Sequence, residues 1–182
     1  MSQALINFIA QLSNATRRAL NVEVTDSKTG KQASDTITLA HDTAAHHALD
    51  VVSTAAGEIL EFPLLGAAGD LICILGTRMK YAVNAIPTAH AGYNLHLFNA
   101  APTVIADNAA FNVIAADVGK YIGYISIPAL TGKGDNCFSQ SDNDNVTAKL
   151  VGTSLYGVLQ CIAAETPTID AVYTILLNAA GI

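Results

Sequence analysis

The chain has 182 residues and a formal charge of −6, with only 13% charged residues against 51% hydrophobic ones. Its nine Lys and Arg, with Arg17–Arg18 the only adjacent pair, are too few and too scattered for a nucleic-acid surface, which needs clustered cations against phosphates. The most apolar stretch, Ile59 to Leu75, is broken by Glu61, Pro63, Gly66, Gly69 and Asp70. No run therefore reaches the roughly 18 apolar residues of a membrane-spanning helix, and the apolar excess must be buried within the chain or between subunits.

In chain order, Leu5, Phe8, Ile9, Leu12, Ala19 and Leu20 recur at helical spacing, with Ser2 placed to cap the start. Residues 1–35 read as an N-terminal helix or adhesive arm, with Leu5, Phe8, Ile9 and Leu12 as the adhesive stripe. A helix of this kind equally often buries its stripe on its own domain. A basic leader and a clean cleavage pattern are lacking, so this is not read as a secretory signal. Glu23 to Ser34 is polar and carries a turn signal at Asp26–Gly30.

Residues 36–182 read as one β domain. Short alternating or apolar runs begin with Thr36–Leu39 and continue through Leu49–Ser53, Glu58–Pro63, Asp70–Leu75 and Met79–Asn84. Tyr93–Phe98, Phe111–Ala115, Tyr121–Ile127, Val146–Val151, Ser154–Ala163 and Ala171–Leu177 follow. Runs at such intervals, punctuated by turn residues, are the pattern of a sandwich or barrel. Neither face of Tyr93–Phe98 is wholly polar, so that strand is expected to be covered on both sides. Pro102 forces the chain out of the sheet after Asn99, and Asp107-Asn108 supplies a turn before Phe111. Thr131 to Asn145 (TGKGDNCFSQSDNDN) reads as the longest exposed loop of the β region.

The residue types that carry chemistry are present without the spacings that chemistry needs. Asp135, Asp142 and Asp144 lie near Asn143 and Asn145, but the run lacks the Gly and Glu positions of a calcium loop. Gly132-Lys133-Gly134 lacks the rest of a phosphate-binding loop. His41, His46 and His47 near Asp42 have the wrong intervals for a helical zinc site, and His90 and His96 stand apart. Glu58 and Glu61 are offset by three residues, which puts them on opposite faces of a strand. No nucleophile elbow occurs. Cys73 and Cys161 sit in apolar runs as packing residues, and Cys137 reads as a free thiol in the polar loop. Three unpaired cysteines fit a reducing cytoplasm. No catalytic, cofactor or metal residue is assigned. A carbohydrate-binding module is disfavoured by 6% aromatics and no Trp.

The blocks LHLFNAAPT, IADNAAF and KYIGYI between Tyr93 and Ile125 resemble a family of tailed-bacteriophage structural proteins, the capsid cement or decoration subunits. ITLAHDTAAHHALDVV (Ile37 to Val52) is similar to the family's opening strand and loop, and AAETPTIDAVYTILLNA (Ala163 to Ala179) to its last strand. The chain has Leu49-Asp50 where the family commonly has Gly before Asp. The resemblance implies an all-β, jelly-roll-like antiparallel sandwich. It implies a subunit made in the host cytoplasm that binds the outer surface of the major capsid protein shell and associates with itself, as a trimer. A head-fibre or tail-associated protein is the alternative.

Overall fold

The computed structural model describes residues 30–39, 44–54, 56–83 and 85–182. The stripe Leu5, Phe8, Ile9 and Leu12, together with His41 and Asp42, lies outside these residues. The strands are β1 (Lys31–Thr38), β2 (Val51–Val52), β3 (Leu60–Phe62), β4 (Leu71–Tyr81), β5 (Tyr93–Phe98), β6 (Tyr121–Ile127), β7 (Thr131–Lys133), β8 (Asn136–Lys149), β9 (Leu155–Cys161) and β10 (Val172–Gly181). No helix occurs among the described residues.

The strands form two antiparallel sheets. The first runs β1-β10-β4-β8-β7, and the second β2-β9-β5-β6 with β3 also paired to β9. With the three-residue β3 and β7 set aside and the rest renumbered in chain order, the orders are 1-8-3-6 and 2-7-4-5. That is the strand order of a jelly roll, two Greek keys folded into facing sheets. The fold is thus an all-β, jelly-roll-like sandwich.

Period-two alternation builds the core. From the first sheet, Ile37, Ile72, Ile74, Met79, Tyr81, Tyr173, Ile175 and Leu177 point inward. From the second, Leu60, Phe62, Tyr93, Leu95, Leu97, Ile125, Ile127, Leu155 and Leu159 meet them. Gly157 faces the same interior, where an added Cβ would stand 2.9 Å from Leu95 Cδ1 and 3.0 Å from Phe62 Cε2. A larger residue there would require Leu95 and Phe62 to shift.

A second apolar cluster lies on the outer side of the second sheet. Val51, Phe98 and Val158 are buried there beneath Ile105, Phe111, Val113, Tyr121 and Tyr156. The connection between β5 and β6 therefore acts as a roof, and β5 is covered on both faces as its sequence requires. The roof is held by backbone bonds at 2.8 Å from Val51 N to Ala109 O and at 3.2 Å from Phe111 N to Leu49 O. The expected turn is present, with Asn108 at φ 58°.

Four local expectations differ from the structure. β1 begins at Lys31, opposite Ala179, so residues 31–35 belong to the sheet and not to an extension. The runs expected at Asp70–Leu75 and Met79–Asn84 fall on one strand, β4 (Leu71–Tyr81), carried across a bulge between Ile74 and Gly76. Phe111–Ala115 is not a strand, because its apolar side chains serve the roof. The exposed loop expected at Thr131–Asn145 is a hairpin of β7 and β8 that turns at Gly134, φ 74°.

Candidate functional site

Two sets of side chains carry the functional question: buried polar relays that tie the loops together, and the outer face of the first sheet.

The relays sit where the loops after β1, β4, β6 and β9 converge. Glu165 and His46 exchange backbone bonds at 2.9 and 3.1 Å, and the Glu165 carboxylate lies 2.7 Å from His90 Nδ1. Leu130 N donates to His90 Nε2 at 3.1 Å. A backbone amide only donates, so Nε2 is the bare nitrogen and the Nδ1–H donates to Glu165. Tyr93 and Tyr173 lie beneath, their hydroxyls 3.4 Å apart, and burial pushes both phenols well above the ordinary range. His46 Nε2 donates to Asp107 Oδ1 at 3.0 Å, and Ser53 N donates to the same oxygen at 2.8 Å. That pair clips the roof to the loop before β2.

His96 lies elsewhere, on the outer side of the second sheet, stacked on Phe111 with ring centroids 3.6 Å apart. Gln160 Nε2 donates to Leu49 O at 2.9 Å, so Gln160 Oε1 accepts from His96 Nε2 at 3.0 Å. His96 Nδ1 then accepts from Tyr121 O–H at 3.1 Å. Burial holds this imidazole below its ordinary range, against the opposing effect of Gln160. On His90 and His96 the ring nitrogen that a general base would use already accepts a bond from the protein. These bonds tie the loops to one another.

The structure joins the His46 backbone and the His90 side chain to Glu165 and leaves His47 exposed beside Asp50 at 3.3 Å. The Asp144 carboxylate accepts from Thr77 Oγ1 at 2.8 Å and from Ser141 Oγ, and Asp142 accepts from Gln140 Nε2 at 2.8 Å. These carboxylates brace the bulge between β4 and β8. Among the described residues no three His, Cys, Asp or Glu side chains converge on a metal position. Glu61 accepts from Ser154 Oγ at 2.8 Å. Cys137 is buried on the inward side of β8, while Cys73 is half-buried and Cys161 buried. Burial, aided by the Glu165 and Asp50 charges, raises the Cys161 thiol to about 11. In the roof, Lys120 Nζ lies 2.8 Å from Asp117 Oδ1 and Thr103 N donates to Oδ2 at 2.9 Å. The Lys120 bond, followed by that from Thr103, holds the Asp117 carboxyl below its ordinary range.

The outer face of the first sheet carries a groove of about 700 Å³ whose walls include Arg78, Lys80, Lys133, Phe138 and Leu176. It could not be read from the sequence, since its residues come from β4, β7, β8 and β10. The end of the sandwich where β1 begins is apolar. Leu64, Leu71, Val151 and Ile182 are exposed there, Leu64 by 77%.

No protein-family model matches the chain, and no curated protein sequence does. Among solved structures it is similar to a Maize chlorotic mottle virus structure, at 10% identity over 82% of this chain and 94% of that one, with a TM-score of 0.27. The K3 cleaved adhesin domain of Lys-gingipain from Porphyromonas gingivalis W83 matches at 9% identity over 69% and 65% of the two chains, TM-score 0.28. The 60-mer BFDV capsid protein matches at 8% identity over 85% and 93%, TM-score 0.29. At scores this low these likenesses carry no argument about the chain.

Proposed function

We propose that the chain is a virion structural protein that binds the outer surface of a phage capsid and stabilises it, and that it is not an enzyme. One observation carries this reading. It is the strand order 1-8-3-6 and 2-7-4-5 of the two sheets, which is the jelly-roll-like sandwich that the resemblance implies. The charge-poor, acidic chain and its exposed apolar end support the same reading, since both suit a subunit that hides surface against neighbours.

In this reading the subunit straddles seams between copies of the major capsid protein and associates with its own copies as a trimer. Apolar burial contributes roughly 25 cal/mol per Å² before association costs are subtracted. Repetition over many sites makes modest contacts collectively strong. The stripe Leu5, Phe8, Ile9 and Leu12 acts as the arm that reaches a neighbour.

The test is the copy number of this protein in purified particles, quantified by mass spectrometry against the major shell protein. Parity with the shell subunits is the expected result. A handful of copies would move the protein to a head fibre or tail, and absence would end the structural reading. Replacing Phe8 and Ile9 by Asp is expected to weaken shell binding while leaving the thermal melting of the β domain unchanged. Loss of folding in that variant would remove the arm.

A further inference from the structure

Arg78, Lys80 and Lys133 are three of nine Lys and Arg in a chain of charge −6, yet all three line one groove. The ion pairs among the described residues join His46 to Asp107, His47 to Asp50, His90 to Glu165 and Lys120 to Asp117. None of the three groove cations takes part in one. The carboxylate on the same outward face is Asp142, which Gln140 already engages, and Asp135 occupies the turn beyond Lys133.

The register fixes how the cations are set out. Phe138 stands opposite Lys80 on β4 and Thr131 on β7. Arg78 is opposite Gln140, one pleat to one side of Phe138, and Lys133 is opposite Asn136, one pleat to the other. Phe138 is 41% exposed, with the half-buried Leu176 alongside Arg78 through the pairing of β10 with β4. The groove thus presents an apolar centre with cations on both sides. Same-face residues two apart on a strand are separated by about 6.6–6.8 Å, and an extended peptide has that same period.

We propose that this groove docks an extended polypeptide segment of a partner protein in which an apolar side chain is flanked by carboxylates at alternate positions. The apolar residue seats on Phe138, beside Lys80, and the carboxylates meet Arg78 on one side and Lys133 on the other. A nucleic acid is a poorer occupant because the remaining surface of this acidic chain repels it. The inference goes beyond the cement reading and does not need it, since the probe is a peptide and not a shell.

The test is fluorescence anisotropy at low salt with a short labelled peptide presenting Glu, Leu and Glu at alternate positions with Ser between them. The same peptide with Lys for Glu is the control. Binding of the Glu peptide to the full chain, weakening with added salt, is expected, with no binding of the Lys peptide. The Arg78→Glu/Lys133→Glu variant should bind about tenfold more weakly, the sum of a few exposed pairs, and Phe138→Ala should also weaken binding. Both variants alter outward side chains, and circular dichroism checks that the sheets persist. Lys80→Gln provides a milder variant should either fail to fold. The proposal is overturned if the Glu peptide does not bind, if the Lys peptide binds equally, or if none of the variants changes the affinity. It is also overturned if dextran sulfate binds with the same variant dependence while the peptide does not.

Discussion

Gly92 has φ 112°, and a Cβ placed there would stand 2.6 Å from the Ile127 carbonyl oxygen. The obstacle is backbone, which cannot rotate away, and the conformation is strained for any L side chain. Gly92→Ala is therefore expected to cost at least about 2 kcal/mol in urea unfolding. His96 provides a pH signature with a definite sign. Its imidazole titrates below 6.5 in the folded chain, so the unfolded state takes up a proton that the native state refuses. Stability should be full above about 6.5 and fall as the pH drops below it, levelling once the native imidazole also protonates. Urea midpoints at neutral and mildly acidic pH should differ less in His96→Gln than in the parent. The cysteines differ in reach. In the native chain Cys137 and Cys161 should resist a thiol reagent, leaving Cys73 to react, and all three should react after denaturation. Cys137 is a free thiol, as its sequence context suggests, but it is buried and lies in a strand and not in a loop. Polar neighbours along the chain do not make a residue exposed.

Strand β8 shows how an element can be hidden by its own composition. The run SQSDNDN has the residue content of a loop, yet it pairs with β4 from Cys137 to Lys149. Its polar character suits a strand near the sheet edge, where charged side chains and a bulge keep foreign strands from adding on. The bulge is fixed by Asp144, which accepts from Thr77 Oγ1, a hydroxyl on a residue with no exposed surface. Asp144→Ala would leave that hydroxyl without its acceptor and should cost about 1–3 kcal/mol in thermal or urea unfolding. The strands that are legible, β5 and β6 above all, are rich in apolar side chains, with Gly92 before the one and Pro128 after the other. Phe111–Ala115 misled for the opposite reason. Phe111 and Val113 are partly buried, but against the outer face of a sheet, while Ile114 is exposed, and periodicity alone cannot say which partner covers an apolar run. The cationic groove was illegible because it assembles through cross-strand register, which the sequence does not display.

The sandwich as a whole closes its first sheet with strands from opposite ends of the chain. β10 lies between β1 and β4, paired to both. Cutting the chain before Val172 should therefore unfold the whole domain, seen as loss of the far-ultraviolet β signal. The covered strand, the turn at Asp107-Asn108 and the all-β class could all be read beforehand. The alternation of strands between sheets could not, since it depends on contacts between distant parts of the chain.

The pairing of Lys31 with Ala179 also decides how the molecule could be handled as a tool. The first strand sets out and the last strand finishes at the same pole, beside Leu71, whose carbonyl oxygen accepts from Ile182 N at 3.0 Å. A passenger fused ahead of Lys31 or behind Ile182 would leave in the same direction, so the orientation of display does not depend on which junction is chosen. A short bridge between these neighbours would let the chain be reopened in the exposed turn at Val151 and Gly152, giving a circular permutant with the same sheets and new ends.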